Sequence, residues 1–183
     1  MFKAADGGKA FCEELVKGFP EPVKILECIF AMPPERWEEK LASDKAFFAK
    51  NLSATKYELQ LADPSTFTQQ VQWANVVYLR GGETARLMSA LAQTKGWSDH
   101  LNGKTVAGSS AGADALSKYY YCLDHLKLGE GLGLVSVKVL VHYQSNYNAP
   151  HINWDKAYAE LQSYQEKLPV VTLHEGEFKV IEE

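Results

Sequence analysis

The chain has 183 residues, is 46% hydrophobic and 23% charged, and carries a net charge of −4. That suits one folded domain with a packed core and excludes a disordered tail. No Lys/Arg stripe points to nucleic acid or to an anionic membrane surface, and no apolar run approaches the roughly 20 residues that a membrane span needs.

In chain order, Phe11, Leu15 and Phe19 share one face and predict a helix over 7–19. The apolar, β-branched run 23–30 reads as a buried strand. Pro34 suits a helix first turn, and Trp37, Leu41 and Phe48 line one face of a helix that ends near 51. Residues 56–62 alternate as a strand, after which Asp63 as N-cap and Pro64 as first helical residue predict a helix over 63–74. Residues 76–82 form a strand ending in glycines, and 83–97 a helix. Residues 104–121 read as strand, turn and helix, and 131–143 as a long β-rich run. Trp154, Tyr158 and Leu161 place a helix over 154–168, and 170–183 reads as a closing hairpin with Glu175 and Gly176 in its turn.

Strands alternating with helices mean crossover connections. The expected fold is a single α/β domain over 1–183: three layers, a mostly parallel flavodoxin-like sheet with helices on both faces, and a C-terminal hairpin. In such sheets ligands bind beyond the carboxyl ends of the strands. Two strand-to-helix turns lie there, "RGGET" and "GSSAGA".

Gly108-Ser109-Ser110-Ala111-Gly112 fits G-x-S-x-G, the pattern of a nucleophile elbow. Its central serine sits on a strained turn, and the residues two away must be tiny. The alternative is a small-residue crossover or a phosphate-binding turn. At "RGGET", Gly81 and Gly82 let backbone approach a ligand, and the Gly82 N–H is a candidate oxyanion donor; the alternative is a plain strand-to-helix turn.

The three cysteines, Cys12, Cys28 and Cys122, form no C-x-x-C pair and read as reduced thiols of a cytoplasmic protein. The first residues lack a long apolar stretch, so no signal peptide is expected. The histidines His100, His125, His142, His151 and His174 show no metal-ligand spacing, so neither metal nor other cofactor is expected.

"VVYLRGGETARLMSAL" followed by "GKTVAGSSAGA" resembles the peptidase S51 family, which holds aspartyl dipeptidase (peptidase E) and cyanophycinase and has a fold similar to class I glutamine amidotransferases. The resemblance runs from about residue 70 to the end, through "GLGLVSVKVLVHY" and the closing "VVTLHEGEFKVIEE". It implies that Ser110 is the nucleophile, Ala111 and Gly82 the oxyanion-hole donors and His142 the general base. The family's acid lies between nucleophile and histidine, which makes Asp124 the expected third member; Asp114 and Glu130 fall in the same interval. Glu175 is the alternative acid. The interval from Ser110 to His142 is short, so the acid partner is expected to be weakly held. His125, His151 and His174 are weaker candidates for the base.

The family's turn usually reads GGGN, whereas this chain has Arg80-Gly81-Gly82-Glu83. Glu83 adds negative charge near the cleft, Arg80 is a candidate partner for a substrate carboxylate, and the loop "QSNYNAPHINW" has no arginine. The expected activity is therefore serine-type hydrolysis of an amide bond in small peptides, without strict aspartyl specificity. The alternatives are a silent, ligand-binding member, or an amidase or esterase acting on non-peptide substrates. A glutamine amidotransferase is disfavoured, because Ser110 stands where those enzymes need a thiolate. The expected partner is a small peptide, with no nucleic acid or membrane, and the expected state is monomer or homodimer.

Overall fold

The computed structural model describes residues 4–147 and 151–182. Asn148, Ala149 and Pro150, in the loop after His142, lie outside the described residues. The helices are α1 (Lys9–Val16), α2 (Trp37–Asn51), α3 (Phe67–Trp73), α4 (Thr84–Gln93), α5 (Ala111–Leu116) and α6 (Trp154–Ser163). The strands are β1 (Val23–Cys28), β2 (Tyr57–Leu61), β3 (Val76–Leu79), β4 (Thr105–Gly108), β5 (Ser117–Cys122), β6 (Lys127–Glu130), β7 (Val135–Leu140) and β8 (Val170–Thr172).

The first sheet is wholly parallel, in the order β2-β1-β3-β4. Its strands alternate between two apolar faces. Leu26, Val77 and Leu79 pack on Phe67 and Val71 of α3 and on Leu87 of α4. Ile25, Val76 and Tyr78 pack on Phe11 and Leu15 of α1 and on Phe48 of α2. Burial on both faces explains why β3 reads as an unbroken apolar run and β1 as a largely apolar one.

The second sheet has the order β6-β5-β7-β8 and is parallel except for the β5–β6 pair. Ala157 and Leu161 of α6 cover it against Tyr119 and Leu140. Lys138, in the middle of β7, is fully buried. Its Nζ donates to the carbonyls of Gln162, at 3.0 Å, and Tyr164. It thereby satisfies last-turn carbonyls that α6 cannot pair itself.

The architecture is α/β and mostly parallel, but the strands form two four-stranded sheets rather than one. The second sheet arises where the expected helix over 104–121 stops short. α5 has six residues, and Tyr119, Tyr120 and Tyr121 continue as β5 because aromatic residues suit a pleated, half-buried surface. The Ser117 hydroxyl donates to the Asp114 carbonyl at 2.9 Å at that break. The helix expected from Asp63 begins instead at Phe67. Asp63 spends its carboxylate on Ser65, accepting from its amide at 2.8 Å and its hydroxyl at 2.6 Å, a local turn that competes with helix initiation. The closing segment is one strand, β8, running parallel to β7. Among the described residues the chain beyond the turn at Gly176 does not return as a partner strand; Phe178 packs on Phe11 of α1, with ring centroids 5.8 Å apart.

Candidate active site

The turn between β4 and α5 is built from absent side chains. Ser110 is held at φ 52° and ψ −116°, a backbone conformation sparsely used by residues with a Cβ. A Cβ on Gly108 would lie 2.4 Å from the Gly112 carbonyl carbon, and one on Gly112 would lie 2.0 Å from the Leu79 carbonyl oxygen. Both glycines are therefore fixed by space. Ser109 N–H donates to Leu79 at 3.0 Å and ties the turn to β3.

The facing turn follows β3. A Cβ on Gly81 would lie 3.0 Å from Ser110 Cβ, so the two turns are in contact. Gly82 has φ 150°, and a Cβ there would meet the Ala31 carbonyl oxygen at 2.5 Å. Gly82 precedes α4, and Ala111 opens α5. Backbone N–H groups at helix starts have no intrahelical acceptor, and the Ala111 amide, next to Ser110, is one of these.

The histidine arrives from the second sheet. β7 and β8 run parallel with Leu140 opposite Thr172, so His142 and Glu175 emerge at one edge. Tyr143 N–H donates to Leu173 at 2.9 Å and keeps that pairing past the strand ends. His142 Nδ1 lies 2.6 Å from Glu175 Oε1, and its Nε2 lies 3.0 Å from Ser110 Oγ. A carboxylate only accepts, so Nδ1 carries the proton and Nε2 presents its lone pair to the serine hydroxyl.

Asp124 does not touch His142. It accepts the Tyr147 hydroxyl at 3.0 Å, and the carboxylate on the imidazole is Glu175, the alternative acid. The carboxylate that meets the imidazole lies after the histidine in the chain, so the short Ser110–His142 interval does not remove it. No sequence pattern singles out Tyr147, whose ring stacks on His142.

Arg80 is also corrected. Its guanidinium turns into the protein, donating to the Tyr78 hydroxyl at 2.6 Å and to Asp44 Oδ1 at 3.1 Å, with Glu27 3.7 Å away. It is spent on a buried cluster rather than offered to a ligand. Burial first, then the hydrogen bond and charge of Asp44, push the Glu27 carboxyl up to about 9. Burial works against Asp44 as well, but the hydrogen bond from Glu27 and the Arg80 and Lys40 charges outweigh it and hold Asp44 below its usual value. Neither Glu27 oxygen has a hydrogen-bond donor, and burial favours its neutral form. Glu83 is half-exposed and pairs with Arg86 at 3.5 Å.

Asp114, on α5, is buried and accepts the Thr84 hydroxyl of α4 at 3.0 Å, joining the helices that follow the two turns. Burial pushes its carboxyl from 3.8 up to about 8. Between those values the folded protein holds a proton that the unfolded chain has released. Its contribution to stability therefore falls as pH rises through that window, by up to about 1.4 kcal/mol per pH unit. Asp114→Asn is expected to flatten the stability–pH curve between pH 5 and 8 and to raise stability at the alkaline end. Urea melts at a series of pH values check this; a mutant curve parallel to wild type contradicts it.

A cavity of about 1250 Å³ opens from the site, with Ser110, His142 and Glu175 in its lining and Val106, Val137 and Val171 on its apolar wall. Among the described residues no group of three or more His, Cys, Asp or Glu side chains is placed to hold a metal, and no helix is long and apolar enough to cross a membrane. Cys12, Cys28 and Cys122 are buried and unpaired in disulfides.

The scaffold is a parallel α/β sheet with a serine on a strained strand-to-helix turn, at hydrogen-bond distance from a histidine that meets a carboxylate. The chain belongs to peptidase family S51, whose model matches residues 36–183. Among solved structures it is similar to a peptidase from an acI-B1 Actinobacterium, at 22% identity and a TM-score of 0.65, over 93% of this chain and 74% of that one. It is also similar to a protein assigned as peptidase E from Listeria monocytogenes EGD-e, at 16% identity and a TM-score of 0.63, over 96% of this chain and 88% of that one. No curated protein matches the sequence.

Proposed function

We propose that the protein is a serine-type peptidase that hydrolyses an amide bond in small peptides through an acyl-enzyme on Ser110. The observation that carries this reading is the continuous chain Glu175–His142–Ser110, with both links at hydrogen-bond distance and the serine on its strained turn. Ser110 Oγ attacks the scissile carbonyl as its proton passes to His142 Nε2. Charge on the carbonyl oxygen is met by the Gly82 and Ala111 amides. Glu175 holds the imidazolium. The C–N bond breaks, and the imidazolium gives its proton to the leaving amine. Water, activated by the same nitrogen, then cleaves the ester and restores Ser110.

A fluorophosphonate probe tests the nucleophile: wild type is expected to be labelled and Ser110→Ala not. Equal labelling of both overturns it, and a silent wild type favours a ligand-binding member.

Strict selection of aspartyl dipeptides is not expected. Arg80 is occupied by Asp44 and Tyr78, and Glu83 brings negative charge to the turn. A panel of Asp-X and neutral dipeptides is expected to show neutral ones cleaved at least as fast. A strong preference for Asp-X contradicts this, and turnover confined to non-peptide amides or esters redirects the substrate class.

A further inference from the structure

The parallel β5–β7 pair brings Asp124 to the same edge as His142, since Tyr120 lies opposite Val139 and both chains run on past their strands. Asp124 still falls short of the imidazole. The gap is filled by Tyr147. His142 and Gln144 both adopt positive φ, 54° and 52°, and the chain coils back on itself. Ser145 N–H donates to the His142 carbonyl at 3.0 Å, and Tyr147 N–H to Ser145 Oγ at 3.0 Å. The phenol ring returns over the histidine five residues upstream, with centroids 4.2 Å apart and planes 6° from parallel.

The two hydrogen bonds on His142 hold its nitrogens but leave one freedom. Rotation about the line joining Nδ1 and Nε2 tilts the ring while stretching neither bond at first. A tilt turns the nitrogen lone pair off the serine hydroxyl, and misplacements of that size are costly in a catalytic group. A flat ring against one face opposes that tilt. The ring resists only if it is itself anchored, and the hydroxyl donated to the Asp124 carboxylate anchors it.

We propose that Tyr147 is a positioning residue for His142, with its ring fixing the imidazole plane and Asp124 fixing the ring. This rests on the reading of His142 as the general base. Burial first, and then the hydrogen bond to Asp124, push the Tyr147 phenol up to about 12, so it remains a donor through the neutral and alkaline range.

Two readouts test the clamp on wild type, Tyr147→Phe and Tyr147→Ala. The first is the rate of fluorophosphonate labelling together with kcat and KM. Tyr147→Ala is expected to slow labelling and lower kcat on the order of 10²-fold, with little change in KM and an unchanged melting temperature. Tyr147→Phe keeps the ring and loses one hydrogen bond, so it is expected to lose only about two- to tenfold. Labelling of Tyr147→Ala at the wild-type rate, a change confined to KM, or a phenylalanine variant no better than alanine each overturn the proposal.

The second readout needs no turnover. The His142 Nδ1 proton, held on Glu175, is expected as a low-field proton NMR signal in wild type and in Tyr147→Phe, and to be lost to solvent exchange in Tyr147→Ala. A signal equally present or equally absent in all three overturns the clamp. Should wild type fail to react with the probe while this pattern holds, the hydrolase reading fails and the clamp stands.

Discussion

His142→Ala is expected to lower kcat/KM for a cleaved dipeptide on the order of 10⁶-fold, close to the loss from Ser110→Ala, as for residues that act as one unit. A serine hydroxyl is a poor nucleophile while it keeps its proton, and Nε2 lies 3.0 Å from Ser110 Oγ. The double variant Ser110→Ala/His142→Ala is expected to be hardly worse than either single one. The remaining rate comes from binding and the two amides. Steady-state kinetics of the three proteins check this. Losses that multiply in the double variant contradict a shared step, and full activity in His142→Ala would make His174, beside Glu175, the next base to test.

Glu175→Gln is expected to reduce kcat on the order of 10⁴-fold with the fold intact, the scale seen when the orienting acid of a serine protease becomes an amide. The reason is tautomeric. Glu175 Oε1 accepts from Nδ1 at 2.6 Å and so keeps Nε2 unprotonated. A glutamine that turns its NH₂ toward Nδ1 selects the other tautomer, which puts a proton where the serine must deliver one. Asp124→Asn keeps an acceptor for Tyr147 and is expected to cost far less. Comparing kcat for the two variants decides the assignment; an asparagine variant as damaged as the glutamine one restores Asp124 as the direct acid.

What was legible in the sequence follows from what each residue's role depends on. The elbow depends on missing side chains, and Gly108 and Gly112 declare those directly. The first sheet depends on two-sided burial, and its central strands β1 and β3 show it as largely apolar runs. The carboxylate that meets His142 depends on something else. Glu175 reaches His142 because β7 and β8 pair in parallel with Leu140 opposite Thr172, and no residue pattern carries that register. Arg80 is similar: its charge is evident, but its direction is decided by Asp44, 36 positions earlier in the chain. The second sheet was hidden because small helix-forming residues run directly into Tyr119–Tyr121, with no glycine or proline to mark the change.

The interlock of Gly108, Gly112 and Leu79 also bears on how such a site can change over time. Space is exhausted at Gly108 and Gly112, where any added carbon meets backbone at 2.4 Å or less. At Ser110 itself the side chain points toward His142, and the backbone already accepts a Cβ. The Ser110 side chain is thus the replaceable part of the turn, and its flanks are the permanent one. A lineage can exchange the serine for another compact side chain in one step, whereas altering Gly108 requires α5 to move off the end of β4 first, and altering Gly112 requires it to move off β3.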